Sequence, residues 1–166
     1  TVTESSGTAN DNILCEGGGG SAFLEANYTS GWVYTWNTGE NNYSISNKPD
    51  GYYEVVVFDD NSGCTGMAST TITLQESAKS YTSDHDICDG ATVQLQGSPM
   101  GGVWAVSSGS GNIQGTAPPI YHTTGSSGAE SVALTYTVSG ANGCGITTAT
   151  TEFNVEANPI SVNAGS

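Results

Sequence analysis

The sequence predicts an all-β protein built from two tandem antiparallel sandwich domains. Apolar and β-branched residues alternate with polar ones in short runs, and no long stretch with helical periodicity interrupts them. Turn-forming residues separate these runs. The order of the runs in the first half returns in the second half, with related cysteine-containing phrases at matching places. Together these observations favour a duplicated β-domain over a single larger one.

Each half is predicted to contain four main strands. In the first half they are SAFLEAN (21–27), GWVYTW (31–36), YYEVVVF (52–58) and STTITL (69–74). In the second half they are ATVQLQ (91–96), GVWAV (102–106), SVALTYTV (131–138) and TTEFNV (150–155). Segments rich in turn-forming residues lie between the strands, where turns are required; they include NTGENN, NKPDG, DDNSG, SPMGG and SGSGN. Short strands at this spacing are typical of an antiparallel sandwich.

The repeat places a domain boundary near residues 76–80. We predict a first domain at 1–77 and a second at 78–158. The last residues, 159–166, are predicted to begin a third copy, because FNVEANPISVNAGS repeats the strand and extended stretch of ITLQESAKSYTS at the boundary. We therefore expect the chain to be two units of a longer array.

The charge balance excludes two classes of partner. The chain has 16 acidic residues against two lysines and no arginine, for a net charge of −14. Nucleic acids and anionic membranes would be repelled, because binding to them depends on lysine and arginine. No apolar run approaches the length of a membrane span, so we expect no direct membrane insertion. Such a surface stays soluble and attracts cations.

The four cysteines stand in matched settings. ICDGATVQL (87–95) repeats the outline of LCEGGGGSAFL (14–24), and ANGCGI (141–146) matches NSGCTG (61–66). Common zinc sites need close pairs such as C-x-x-C, whereas each cysteine here stands alone, so disulfides are favoured. Disulfides persist in oxidising compartments, which predicts an extracellular or cell-surface protein. The residues concerned are Cys15, Cys64, Cys88 and Cys144.

The aromatic residues occupy the positions expected of an immunoglobulin-like domain. Trp36 and Trp104 lie in the strand where such domains bury a tryptophan. Tyr53 and Tyr136 lie in the penultimate strand, where a tyrosine corner is common. We expect all four side chains to anchor the two cores.

A family resemblance follows from these motifs. The pattern ICDGATVQLQG…GGVW…LTYTVSGANGC…VEANPISVNAG closely resembles the Ig-like or PKD-like repeats of giant SprB-type surface adhesins of gliding bacteria, which are exported by type IX secretion. The first copy matches a sister pattern, LCEG…YTWNTGE…SIS…GYYEVVVFDDNSGC, so the resemblance covers nearly the whole chain. It implies a structural and adhesive role in an extracellular fibre, with neighbouring repeats as partners. The GGGG stretch at 17–20 departs from the usual acidic-polar turn.

The immunoglobulin-like topology limits how the sulfurs can pair. Cys15 and Cys88 precede the second strand, whereas Cys64 and Cys144 follow the penultimate one, so the two cysteines of a copy lie at opposite ends of a simple sandwich. A strand of six or seven residues rises ~20 Å, whereas a disulfide needs Cα atoms within ~7 Å.

Two pairing hypotheses stay open. In the first, bridges join neighbouring copies, with Cys15 bonded to Cys144 and the other two cysteines reaching the preceding and following copies. Alternatively, the first strand crosses between the sheets and brings the cysteines of one copy together.

Acidic side chains collect in the turns beside the cysteines. Calcium takes six to eight oxygen ligands, and a joint between repeats is a candidate calcium site, although no EF-hand or other tight motif is present. Solvated turn acids are the alternative interpretation, and no cofactor is required. The candidate ligands are Asp11, Glu16, Asp59, Asp60, Asp84, Asp86 and Asp89.

No catalytic constellation emerges, so we expect the protein not to be an enzyme. His85 and His122 are the only histidines, and neither has a spacing that indicates catalysis or metal ligation. Two alternatives to a structural repeat remain. One is a carbohydrate-binding module that stacks surface polysaccharide on Trp32 and Tyr34. The other is a self-assembling filament subunit whose terminal segments, TVTESSGTAN and NPISVNAGS, add strands to adjacent chains.

Overall fold

The computed structural model describes residues 2–4, 12–17, 22–82, 86–116, 118–124, 128–140 and 144–158. Every regular element in these ranges is a β-strand, which confirms the predicted all-β class. Over the same ranges, no helix has the length and apolarity needed to cross a membrane. The chain forms two compact units, Thr1–Glu76 with Gly140–Gly145 and Ser77–Ser139 with Ile146–Ser166. The predicted third segment, 159–166, lies outside the described residues.

Unit 1 is a sandwich of two sheets. One sheet has the order β1-β3-β5 and the other the order β2-β7-β6-β4. All pairs are antiparallel except β2 with β7, which is parallel. The strands are β1 (Val2–Glu4), β2 (Ile13–Cys15), β3 (Ala22–Ala26), β4 (Trp32–Trp36), β5 (Ser44–Lys48), β6 (Gly51–Asp59) and β7 (Thr65–Gln75).

The core of unit 1 follows from residue alternation. Side chains on successive strand positions point to opposite faces, so every second residue of β3 and of the first half of β6 is buried. The two inward faces then close over one apolar cluster, as expected of packed sheets. Its members include Leu14, Leu24, Tyr34, Trp36, Ile45, Tyr53, Val55 and Ile72.

Unit 2 repeats this plan with one additional strand. Its sheets have the orders β12-β13-β10-β8 and β11-β14-β15-β9, and β9 with β15 is again the parallel pair. The strands are β8 (Lys79–Thr82), β9 (Asp86–Cys88), β10 (Thr92–Ser98), β11 (Val103–Ser108), β12 (Asn112–Gln114), β13 (Ile120–His122), β14 (Glu130–Ser139) and β15 (Ile146–Glu156). The buried cluster includes Val93, Leu95, Tyr121, Val132, Leu134, Phe153 and Val155.

The first strand of each unit is divided between the two sheets. β1 pairs antiparallel with β3, whereas β2 pairs parallel with β7 in the opposite sheet. In unit 2, β8 pairs with β10 and β9 pairs with β15 in the same way. The sheet crossing considered in the second pairing hypothesis is therefore present in both units.

Two glycines leave the space that the ring of Tyr136 fills. The Tyr136 hydroxyl donates to the Pro99 carbonyl oxygen at 2.6 Å and accepts from the Gly102 amide at 2.8 Å. A Cβ atom on Gly102 would lie 2.4 Å from Cζ of Tyr136 and 2.7 Å from the carbonyl oxygen of Thr137. A Cβ on Gly97 would lie 2.5 Å from the same ring. This close approach excludes any side chain at either position without displacement of a buried tyrosine.

Substitution Gly102→Ala is therefore expected to lower the free energy of unfolding of unit 2 by about 1–3 kcal/mol, the usual cost of overpacking. Hydrogen exchange of the β14 amides measures the change. Gly128→Ala is the matched control, because a Cβ at Gly128 would meet no atom within 4 Å. Equal protection of β14 in the two variants would contradict the steric argument.

Candidate functional site

A disulfide joins a cysteine of the first sequence copy to a cysteine of the second. Cys15, the last residue of β2, is bonded to Cys144 in the loop between β14 and β15. Their Cα atoms are 5.4 Å apart, within the usual range for a disulfide, and the two residues are 129 positions apart in the chain. This is the pair considered in the first hypothesis. Cys64 and Cys88 are free and exposed.

The pairing of β2 with β7 fixes the position of Cys15. Leu14 lies beside Leu74 and Cys15 beside Gln75 in the parallel register, and the Glu16 amide donates to the Gln75 carbonyl oxygen at 2.9 Å. Leu14 is buried in the core of unit 1. Because neighbouring strand residues point to opposite faces, the burial of Leu14 directs Cys15 away from that core.

Cys88 occupies the corresponding position in unit 2. Ile87 lies beside Val155 and Cys88 beside Glu156, and the Asp89 amide donates to the Glu156 carbonyl oxygen at 2.9 Å. Ile87 is buried in the core of unit 2. The strand pairing, the closing hydrogen bond and the buried neighbour are thus the same for Cys88 as for Cys15.

The other two cysteines lie in equivalent hairpin loops. The β6–β7 loop is closed by a hydrogen bond from the Asp59 amide to the Cys64 carbonyl oxygen at 2.9 Å. The β14–β15 loop is closed by the same bond from Gly140 to Gly145 at 2.6 Å. Cys64 is therefore the last residue of its loop, whereas Cys144 is the last but one. This one-residue difference in the position of the cysteine within its loop cannot be recognised from the matching sequences NSGCTG and ANGCGI.

The two cysteines of one copy are held apart by a full strand. Cys64 immediately precedes β7, and Cys15 lies beside its last residue, Gln75. β7 has 11 residues, and an extended strand of that length rises about 35 Å, several times the Cα separation that a disulfide allows. β15, also of 11 residues, separates Cys144 from Cys88 in the same way. The sheet crossing is therefore present, but it does not bring the cysteines of one copy together.

The loop that carries Cys64 is ordered by an acidic side chain. The Asp59 carboxylate accepts from the Ser62 hydroxyl at 2.6 Å and from the Asn61 amide at 2.9 Å. These donors, the Ser62 hydroxyl first, stabilise the charged form and lower the pKa of Asp59. The Cys64 amide in turn donates to the Ser62 hydroxyl at 3.3 Å.

An apolar groove of about 370 Å³ lies beside Cys64 in unit 1. The end of β3, the start of β4, the end of β6 and the start of β7 form its walls, so it opens between the two sheets at one end of the sandwich. Trp32 lies on the same face of β4 as the buried Tyr34 and Trp36, but it is 36% exposed. The residues that line it are Ala26, Asn27, Trp32, Val55, Val57, Asp59, Cys64, Thr65, Gly66, Met67 and Ala68.

The predicted core anchors lie as follows. Trp36 is 1% exposed, and its Nε1 donates to the Asn42 carbonyl oxygen at 2.8 Å. Tyr53 is buried, which raises its pKa, and its hydroxyl donates to the carbonyl oxygen of Pro49, four residues upstream. Trp104 is half-buried, with its ring centroid 5.0 Å from that of the buried Tyr136.

Of the two residues proposed to stack a sugar, the structure exposes only Trp32. Tyr34 is 4% exposed, its hydroxyl donates to the Asn27 carbonyl oxygen at 2.8 Å, and it accepts from the Thr29 amide at 3.0 Å. A buried ring has no free face for a ligand, so the assignment of Tyr34 to a stacking platform is corrected to a core position.

The proposed calcium ligands do not form a cluster within the described part of the chain. Asp11 and Asp84 lie outside it. Among the residues that the structure describes, no group of three or more His, Cys, Asp or Glu side chains could hold a metal ion. The Asp86 carboxylate instead accepts from the backbone amide and the side-chain amide of Asn154, at 3.2 and 3.0 Å. Glu16, Asp59, Asp60 and Asp89 also belong to the proposed set, and the calcium site stays a prediction.

Comparison with known proteins supports the fold class. No family model matches the chain, and no curated protein matches it. A structure of PcdhgB3 EC1–4 has 9% sequence identity and a TM-score of 0.53, over 96% of this chain and 50% of that one. The chain thus spans half the length of that structure. At this identity the likeness concerns the fold alone, and it confirms the predicted all-β class of tandem antiparallel β-sandwich domains.

Two further structures are similar at lower scores. The extracellular cadherin domains 1–4 of Protocadherin Gamma B7 have 11% identity and a TM-score of 0.49, over 93% of this chain and 49% of that one. The immunoglobulin domains 1–5 of Sidekick-1 have 11% identity and a TM-score of 0.46, over 93% of this chain and 39% of that one.

Proposed function

We propose that this chain is a structural pair of repeats from a large extracellular protein, an adhesin or fibre of the SprB type, that provides spacing, stiffness and display. The Cys15–Cys144 disulfide carries this proposal, because it links the two sequence copies covalently at a second point besides the chain itself. The tandem sandwich fold and the motifs shared with surface repeats support it.

The expected effect of the disulfide is mechanical. Repeats joined by a single chain connection usually move relative to one another unless they share a large apolar interface. A second covalent connection removes much of that freedom without requiring such an interface. A repeat pair restrained in this way acts as a stiff spacer that resists bending at the connection between the repeats.

The setting outside the cell follows from the chemistry of the chain. A disulfide persists in an oxidising compartment. The net charge of −14 makes neighbouring fibres repel one another and keeps them dispersed. The acidic turns remain the predicted place for calcium binding.

The two alternative functions have weaker support. Carbohydrate stacking rests on one exposed ring, that of Trp32, because Tyr34 is buried. The groove beside Trp32 has both aliphatic residues and the polar residues Asn27, Asp59 and Thr65 in its wall. Filament assembly by exchange of terminal strands would require β1 to leave β3, with which Val2–Glu4 pairs in its own unit. The other terminal segment lies mostly beyond the described residues.

The two free thiols allow a direct test of stiffness. Cys64 belongs to unit 1 and Cys88 to unit 2, and both are exposed, so spin labels can be attached to the unmodified chain. Pulsed electron paramagnetic resonance then gives the distribution of distances between the two labels. We expect a narrow distribution for the native chain.

The matched control is the double variant Cys15→Ser/Cys144→Ser, which keeps both labelling sites and removes only the disulfide. We expect its distance distribution to be clearly broader, with both units still folded by circular dichroism. An equally broad distribution in both proteins would refute a stiffening role for the disulfide.

A further inference from the structure

We infer that the groove of unit 1 is the docking site of the polypeptide segment that leads into β1, and that this segment places an apolar side chain in the groove from the position directly before Thr1. The inference deepens the proposed function, on which it rests. It assigns to the groove a partner of stated chemistry, the extended linker through which one repeat of an array enters the next.

The last two strands of each unit form hairpins that correspond residue by residue. One backbone hydrogen bond closes each hairpin loop, from Asp59 to Cys64 in unit 1 and from Gly140 to Gly145 in unit 2. Counting from these bonds along the two ladders gives every groove residue of this hairpin a counterpart in unit 2. Val55, Val57, Gly66 and Ala68 correspond to Tyr136, Val138, Thr147 and Ala149.

In unit 2 the equivalent place is filled by the segment that leads into β8. Ala78, directly before β8, is 9% exposed and packs against Tyr136, Val138 and the partly buried Ala149. Its amide donates to Oγ1 of Thr147 at 2.9 Å. All four of these partners are counterparts of groove residues in unit 1. The fold therefore already holds an entering segment at this place once.

The strand that enters unit 1 leads to the same place. β1 pairs with β3 as β8 pairs with β10, with Val2 beside Ala26 and Ser80 beside Gly97. Ala26 lines the groove, and Gly97 closely approaches the tyrosine ring that packs on Ala78. Ala78 lies two residues before Ser80, so the position two residues before Val2 is the one that reaches the groove.

The groove of unit 1 has room for a larger side chain than alanine. Val55 stands where unit 2 has a tyrosine, and Gly66 stands where unit 2 has a threonine. Both differences leave space, and the groove has a volume of about 370 Å³. A valine or leucine side chain is therefore expected to fill it better than alanine, because more apolar surface is removed from water.

The groove also suits the backbone of an extended segment. Asn27 and Thr65 belong to its wall, and an amide and a hydroxyl side chain can hydrogen-bond a peptide backbone. Among the described residues, β7 pairs along its outer edge only at Thr73–Gln75, so no strand covers that edge at Gly66. An added segment there is a short form of β-augmentation, in which the main chain supplies affinity and a pocket supplies specificity.

A covalently connected segment is favoured over a second copy of the chain. Each copy has a net charge of −14, which opposes association. A segment that continues into β1 is held next to the groove at high effective concentration.

The test extends the full chain by three residues before Thr1. Glu-Ser-Ala repeats residues 76–78, which lead into unit 2. Glu-Ser-Leu carries the larger apolar side chain, and Glu-Ser-Asn replaces it with a polar, uncharged side chain of similar size. Alkylation of Cys64, which lines the groove, reports occupancy, and Cys88 is the internal reference because both thiols are free and exposed. Tryptic cleavage at Lys79 after reduction then separates the two labelled cysteines.

We expect the leucine extension to slow alkylation of Cys64 at least fivefold relative to the asparagine extension, with the alanine extension between them. The rate at Cys88 should be the same in all three chains. Hydrogen exchange of the amides from Thr65 to Ala68 should slow at least tenfold in the leucine chain. Equal alkylation and equal exchange in the leucine and asparagine chains would refute the inference.

Gly66→Thr tests where the segment docks. A Cβ at Gly66 would meet no atom within 4 Å, so the substitution is expected to leave the fold of unit 1 intact. It gives unit 1 the residue that unit 2 has at this place, which reduces the space and adds a hydroxyl acceptor. We expect at least a twofold loss of the protection given by leucine and no loss of the protection given by alanine. Unchanged protection by leucine would show that the segment does not lie against β7.

Sedimentation of the unextended chain examines the other occupant. We expect a monomer, whereas a dimer that the leucine extension dissociates would refute the inference, because the groove would then receive a second copy. None of these results alters the distance distribution between labels at Cys64 and Cys88 in the unextended chain, which tests the Cys15–Cys144 bond. The proposed function and this inference can therefore fail separately.

Discussion

Replacement of Trp36 by alanine is expected to lower the free energy of unfolding of unit 1 by about 3–5 kcal/mol, the usual range for a large aromatic residue removed from a core. Trp36 is 1% exposed and lies beside Val55 in the ladder between β4 and β6. The substitution removes the apolar contacts of the indole and leaves the Asn42 carbonyl oxygen without its donor. Hydrogen exchange of peptides from β6 and β7 measures the loss, with peptides from β14 and β15 as an internal reference.

Trp32→Ala is the matched control, because it removes the same side chain from the same strand. Trp32 is 36% exposed and faces an open groove, so we expect its replacement to cost about 1 kcal/mol. Trp36→Phe keeps an aromatic ring but loses the indole donor, so its loss of unfolding free energy should lie between those of Trp32→Ala and Trp36→Ala. A cost for Trp32→Ala equal to that for Trp36→Ala would show that the groove is closed in solution.

The double variant Cys15→Ser/Cys144→Ser is expected to be less stable than the native chain by about 2–4 kcal/mol, the typical contribution of a disulfide. The bond closes a long loop, with its cysteines 129 positions apart, and long loops lose the most conformational entropy when they are closed in the unfolded chain. Urea unfolding followed by circular dichroism measures the difference. The double variant is preferred to a single one because it introduces no additional free thiol.

A single tryptic cut establishes the pairing on which this expectation depends. Lys48 is followed by Pro49 and resists trypsin, so Lys79 is effectively the only cleavage site. The chain is denatured without reductant, its free thiols are alkylated, and the product of cleavage is weighed. We expect one species that carries two alkyl groups and separates into two fragments only after reduction. Two separate fragments without reduction would show that no disulfide joins the segment before Lys79 to the segment after it.

The main strands could be predicted from the sequence because their alternation is long enough to recognise. The structure has a strand at each of the eight predicted runs, although β7 and β15 begin four residues earlier than the runs predicted there. Seven further strands, each of three to five residues, could not be delimited from the sequence, namely β1, β2, β5, β8, β9, β12 and β13. Runs such as SISNK and NIQ each carry a single apolar residue, and partner strands distant in the chain, rather than local pattern, determine their conformation.

The candidate site was predictable in part. The sequence repeat identified which cysteines are equivalent, but the register that places Cys15 beside Gln75 depends on a parallel pair that no local pattern indicates. Trp32, Tyr34 and Trp36 share one face of β4, and alternation alone cannot tell at which residue that face leaves the core. For this reason the sequence predicts an exposed Tyr34 and does not indicate the groove beside Trp32.

The position of the disulfide determines how the chain extends under tension. When the chain is pulled from its two ends, the load follows the shortest covalent path, which runs through the Cys15–Cys144 bond and bypasses the polypeptide between them. Even if strands within that loop unfold, their contour length cannot be released while the bond is intact. Reduction would release 129 residue steps, or about 450 Å of extended chain. The oxidised chain can therefore lengthen only through the residues before Cys15 and after Cys144, and the redox state of one bond decides whether the chain acts as a short tether or a long one.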